Sequence, residues 1–257
     1  MDSNNLVNKL IQQGKLPSEV YKYIRINESL LKTLINAEIW FPSPLRFNDP
    51  FDCQLDDQTI WTEDLIREYL TTISNGENLD IDKIITERKF SPDSFSEYYT
   101  ATQRKITSKK GVTCFTNRPC NMLMWGHYAD SHQGVCLKFD ITKDTSDFFK
   151  FTFKVQYLKN YPQIDFLKDR NCAAKIIMTT KSDYWKYEDE IRTIKECGDK
   201  VYPFDKQSLK EIIFGINASE INIKTIKNIC KSNGYVDLKF KKVNIKPKSF
   251  KIEIIDI

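Results

Sequence analysis

Apolar positions along this chain follow two spacings. At the start, Leu6 with Leu10 and Val7 with Ile11 recur at helical intervals, predicting a helix over Asn5 to Gln13 that stops at Gly14. "VYKYI" is a short β-prone run. Asn27 is placed to cap a second helix, Glu28 to Asn36, with Leu30, Leu31, Leu34 and Ile35 inward. "IWF" (39–41) reads as a strand, and prolines 42, 44 and 50 then impose a shaped loop. Thr62, Asp80 and Ser91-Pro92 each open a helical segment, the first ending before Asn75-Gly76 and the third near Ile106.

After residue 110 the spacing shortens. "GVTCFT" is a strand, Asn121 to Ala129 a short helix, and "GVCLKFD" a strand with Val135, Leu137 and Phe139 on one face. "FKFTFKVQYL" alternates strictly, which sends Phe149, Phe151, Phe153, Val155 and Tyr157 to one side. Asp165 to Thr179 reads as helix, "EIRTI" as strand, and "LKEIIFG" as a buried strand ending at Gly215. An amphipathic helix, Ser219 to Ser232, precedes two strands joined near Pro247. Helices and strands come in runs rather than in strict alternation. The expected class is α+β, with a central antiparallel or mixed sheet in one domain, 1–257, and a helical insertion or subdomain at 62–107.

Composition narrows the setting. No run of about 18 apolar residues occurs, so no membrane partner is expected. The first fifteen residues, MDSNNLVNKLIQQGK, lack the apolar segment of a secretion signal. The cysteines, 53, 114, 120, 136, 172, 197 and 230, form no C-x-x-C pair, which favours reduced thiols, a cytoplasmic location and no metal cage. Between Lys224 and Lys251 nine lysines face one acid, Asp237. That end is either the solvated face of amphipathic elements or a surface that attracts the phosphates of a nucleic acid.

Three segments combine polar and aromatic residues beyond what packing asks for. In "FNDPFD", Asn48 and Asp49 suit an Asx-turn; alternatively they face a pocket built from Trp40 and Phe51. "LMWGHYADSHQGVCLKFD" holds both histidines of the chain, His127 and His132, beside Trp125, Tyr128 and Asp130. The stretch is a packed helix-turn-strand joint, a pocket wall or, against a spacing of five that does not aim two imidazoles at one metal, a metal site. In "YWKYEDEIR", Glu188, Glu190 and Arg192 fall on one face of an incoming strand. They form either a surface ladder or a carboxylate pair, in which one member must be paired, protonated or screened. No G-x-G-x-x-G, G-K-[ST], G-x-S-x-G or H-E-x-x-H motif occurs.

Taken in order, "YKYI", "IWFPSPLRFNDPFD", "CF" at 114–115, "LMWGHYADSHQGVCLKFD", "WKYEDEIR" and "EIIFG" resemble the bacterial domain-of-unknown-function family 2971 from about Tyr21 to Gly215. The chain departs from the pattern after "YKY", where Ile24 replaces an expected arginine and Arg25 follows one place later, on the opposite face of an alternating strand. The layout of an early basic residue, an aromatic strand-loop and a late E-x-E is similar to that of ADP-ribosyltransferases, whose sheet is split. That resemblance implies NAD as cofactor and an NAD-consuming transferase or glycohydrolase, with a toxin or phage-defence role. It implies Glu190 as the carboxylate that stabilises an oxocarbenium-like transition state, with Glu188 its helper and His127 beside them. Tyr23, Arg25, Asn48, Asp49, Trp125, Tyr128 and Arg192 would surround the nucleotide. The alternatives are a non-catalytic domain that senses a small-molecule or nucleotide ligand, and a metal-dependent nuclease using Asp49, His127, Asp130 and Glu190.

Overall fold

The computed structural model describes residues 3–74, 77–170 and 172–257, with side chains from Val7 onward. The turn expected at Asn75-Gly76 and the packing of Leu6 lie outside the described residues.

Eight strands build one mixed sheet. In spatial order they are Ile252–Asp256, Lys239–Ile245, Leu209–Phe214, Val135–Asp140, Glu19–Ile24, Gly111–Thr116, Glu190–Lys195 and Thr152–Lys154. Leu209–Phe214 and Lys239–Ile245 run parallel, and every other neighbouring pair is antiparallel. The sheet has one weak seam. Glu19–Ile24 pairs with Val135–Asp140 over its whole length but meets Gly111–Thr116 only at Tyr21↔Thr116. Past that pair the two strands part, so the sheet is nearly split between its fifth and sixth strands in this order. The α+β class and mixed sheet read from the sequence are what the chain forms.

One face carries Val20, Val135, Leu137, Phe139, Phe115 and Ile191, packed against Leu30 and Leu34 of helix Glu28–Asn36 and Ile223 and Ile226 of helix Glu220–Ser232. Asn27 caps the first of these helices through Leu30 N at 3.2 Å, as its side chain predicts. Ile35 differs from expectation and is exposed, because the buried stripe runs Leu30, Thr33 and Leu34.

The helices Glu63–Ile73 and Pro92–Ser108 sit where the caps Thr62 and Ser91 predict, and Ile81–Arg88 starts at the expected place with Asp80 as its cap. With Trp61 and Phe166 they enclose an aromatic cluster: Trp61 packs on Phe95 at 4.7 Å, Tyr99 at 5.2 Å and Phe166 at 5.7 Å between ring centroids. Val112 and Ile194 join this cluster from the sheet.

Two expectations change. The alternating run after Phe149 is not one strand: Thr152–Lys154 pairs with Glu190–Lys195, whereas Gln156–Leu158 pairs in parallel with Thr180–Ser182. Phe148 and Phe149 are both buried, and Phe151 is exposed, because a turn at Asp147 (φ 60°) breaks the alternation before the strand begins. Asp165 to Thr179 is two short helices, Phe166–Asp169 and Ala173–Met178.

Candidate functional site

Arg192 is completely buried, so its charge needs partners. Its Nη1 and Nη2 donate to the two Asp52 carboxylate oxygens at 2.9 and 2.5 Å, a bidentate pair. Its Nε donates to Glu190 Oε1 at 2.8 Å, and its Nη1 to the Met178 carbonyl at 2.9 Å. Glu190 opens the strand two residues earlier, on the same face. Glu188 closes the preceding 3-10 turn, Asp183–Glu188, and Asp189 in the left-handed region (φ 44°) swings the chain so that both glutamates reach one lysine. Lys181 Nζ donates to Glu188 Oε2 at 2.6 Å and to Glu190 Oε2 at 3.1 Å. The Tyr128 hydroxyl donates to Glu188 Oε1 at 2.6 Å, and Glu190 N donates to the Tyr157 hydroxyl at 2.8 Å.

These contacts set unequal carboxylates. Burial alone would raise Glu190, but the Arg192 guanidinium and the Lys181 ammonium outweigh it and hold its carboxyl at about 2. Glu188 goes the other way: burial, aided by the Glu190 charge, raises it in spite of Lys181. Burial and the adjacent Glu188 both raise the Tyr128 hydroxyl, which stays a proton donor.

Two cavities adjoin this network. The inner one, about 130 Å³, is lined by Lys22, Tyr23, Asn48, Tyr128 and the ionic residues, with Phe47, Phe115 and Met124 as apolar walls. The outer cleft, about 820 Å³, is lined by Asn48, Asp49, Phe51, Tyr161, Tyr184 and Trp185 among others. Asn48 and Lys181 border both. Tyr184 (89 % exposed) and Phe51 (66 %) leave ring faces open to the cleft. A cleft of that volume is in the range of small-molecule sites.

The three segments singled out in the sequence therefore converge: Phe47, Asn48 and Asp52 from the first, Met124 and Tyr128 from the second, and Glu188, Glu190 and Arg192 from the third. Burial replaces the surface-ladder alternative for the glutamates. Asp49 makes the expected Asx-turn, accepting from Phe51 N at 2.9 Å, and lines the outer cleft.

Other candidates lie elsewhere. Trp125 is 0 % exposed, donates to the Pro119 carbonyl at 2.9 Å and packs edge-on to Tyr23, so it supports the wall without facing a ligand. Trp40 pairs through its backbone with Val201 in a separate ribbon and lines neither cavity. His127 is exposed, bonds the Tyr187 hydroxyl at 3.1 Å and lines neither cavity. Arg25 and Asp130 are exposed and also outside the lining. His132 serves through its backbone: in a left-handed run, Asp130 to His132, its carbonyl accepts from Asn217 N. The two histidines thus mark a helix-turn-strand joint. Asp49, His127, Asp130 and Glu190 do not meet as the nuclease alternative requires. Among the described residues no group of three or more His, Cys, Asp or Glu side chains is placed to hold a metal ion. Lys22, Asp52, Cys114, Tyr157 and Lys181 were not singled out from the sequence. The repulsion between Glu188 and Glu190 was the available signal that a cation must be near, but it pointed to Arg192 alone.

Residues 124–193 match the family model described as "Protein of unknown function (DUF2971)". The family resemblance holds over this segment. The matched segment supplies Tyr128, Lys181, Glu188, Glu190 and Arg192, whereas Lys22, Asn48 and Asp52 come from outside it. No curated protein and no solved structure matches the chain.

Proposed function

We propose that the chain binds a nucleotide-class small molecule, NAD being the candidate, across the cleft and the chamber, and breaks a glycosidic bond in it. The observation that carries this reading is Lys181, bonded at once to Glu188 and Glu190, at the border of an aromatic cleft and a polar chamber. The cleft offers ring faces for planar bases. The buried carboxylates offer negative charge where an oxocarbenium-like centre develops. Glu190 is held on both oxygens by cations, so we assign the reacting position to Glu188, whose partners are one lysine and one tyrosine. Glu190 then orients Lys181. The near-split of the sheet at the chamber supports the same reading. Reduced thiols and NAD both go with a cytoplasmic setting, where NAD loss would serve a toxin or phage-defence role.

Calorimetry should show NAD binding, and chromatography should show nicotinamide release. Glu188→Gln should lower release at least 100-fold with binding kept. Absence of NAD binding at millimolar concentration overturns the reading. Binding by the unaltered chain without release would instead support a ligand-sensing domain, the reading favoured by the complete internal pairing of Asp52, Glu190 and Arg192.

A further inference from the structure

The inner chamber holds three carboxylates, Asp52, Glu188 and Glu190, and three cations, Lys22, Lys181 and Arg192. Arg192 and Lys181 engage all three carboxylates. Among the described residues Lys22 has no ion-pair partner. Its Nζ donates to the Thr113 hydroxyl at 2.8 Å and the Cys114 carbonyl at 3.1 Å, both neutral acceptors, and lies 5.4 Å from the centre of the Phe115 ring. An ammonium has three N–H donors, so one is left over.

The position explains how this arises. Lys22 follows Tyr21, the last residue of its strand to pair across the seam. Where the two strands part, the Cys114 carbonyl loses its ladder partner, and Lys22 reaches across to bind it. A neutral donor would satisfy that carbonyl as well. A charge here is costly, since burial lowers the Lys22 ammonium below its ordinary range. An entering anion would offset that cost.

Resting on the proposed ligand class, we propose that Lys22 is the anion anchor of the chamber, receiving a phosphate oxygen of the ligand. Asn48 and Lys181, at the mouth, lead from the aromatic cleft to this point. The ligand is then held at two ends, its ring in the cleft and its phosphate at the seam. Arg25, one strand face away and exposed, has no part in this.

The test uses inorganic phosphate, ADP-ribose and nicotinamide riboside, which lacks phosphate, on the full chain and on Lys22→Met, Lys22→Gln and Lys22→Arg. Phosphate should raise the melting temperature of the unaltered chain and of Lys22→Arg but not of the neutral variants. Lys22→Met should bind ADP-ribose at least 10-fold more weakly and nicotinamide riboside within twofold. Should the neutral variants fail to fold, the Lys22 side-chain nitrogen resonance of the unaltered chain should shift on adding phosphate. Unchanged affinity for ADP-ribose in Lys22→Met, or an unmoved Lys22 resonance, overturns the anchor. If phosphate acts through Lys22 while NAD and ADP-ribose do not bind, the anchor stands and the NAD reading falls. If NAD binds equally with and without Lys22, the reading stands and the anchor falls.

Discussion

Arg192 is the residue on which the buried charges depend. Removing it leaves the Asp52 and Glu190 carboxyl groups without their closest cation. Losing one partner of a buried pair costs about 3–5 kcal/mol, so Arg192→Met should lower unfolding free energy by that amount in urea titrations at neutral pH. Glu190 gives the network a pH signature. Its carboxyl sits at about 2 when folded, against an ordinary 4.5 in the unfolded chain. A depressed carboxylate stabilises fully above the unfolded value, and that contribution is lost as pH falls toward the folded value. The stability difference between the unaltered chain and Glu190→Gln should therefore be largest above pH 4.5 and shrink steadily toward pH 2. Glu188, raised on folding, has the opposite sign, because the folded chain holds its proton more tightly than the unfolded one. A difference that grows on acidification would contradict the ionised, doubly paired state of Glu190.

At the scale of elements, the short helix Met122–Tyr128 positions Tyr128 over Glu188. Asn121 fixes that helix twice: its side-chain Oδ1 accepts from Leu123 N and Met124 N, and its side-chain Nδ2 donates to the Tyr187 carbonyl at 2.6 Å, one residue before Glu188. Asn121→Ala should cost about 1–2 kcal/mol in thermal unfolding and should weaken ligand binding in parallel, since the cap and the site share one side chain. The helix was legible in the sequence, as were the caps Asn27, Thr62 and Ser91. Local hydrogen bonding decides such ends, and it involves neighbours in the chain. The run from Phe149 to Tyr157 was misread because alternation reports which way side chains point, not which strand lies alongside. Its two halves find partners in Glu190–Lys195 and Thr180–Ser182, far along the chain.

At the scale of the whole molecule, the helical block from Glu63 to Ser108 is tied to the sheet through the Trp61 cluster and the face bearing Val112 and Ile194. Trp61→Ala should cost about 3–5 kcal/mol, and hydrogen exchange should quicken in that block while Val135–Asp140 stays protected. Equal loss of protection throughout would mean that block and sheet unfold as one unit. In the lysine-rich end Lys241 pairs with Glu211 at 3.2 Å and Lys242 with Glu220 at 3.4 Å. Among the described residues no helix is long and apolar enough to cross a membrane.

Helix caps, the α+β class, the strands around the site and the three segments that meet there could all be read from residue order, because each rests on spacing or on contacts between near neighbours. Which glutamate is held down by two cations and which is raised by burial could not be. Those outcomes depend on Lys181 folding back from Thr180–Ser182, on Tyr128 and Asp52 arriving from distant parts of the chain and on the loss of water around them. Burial and long-range charge pairing exist only once the sheet has closed around its seam.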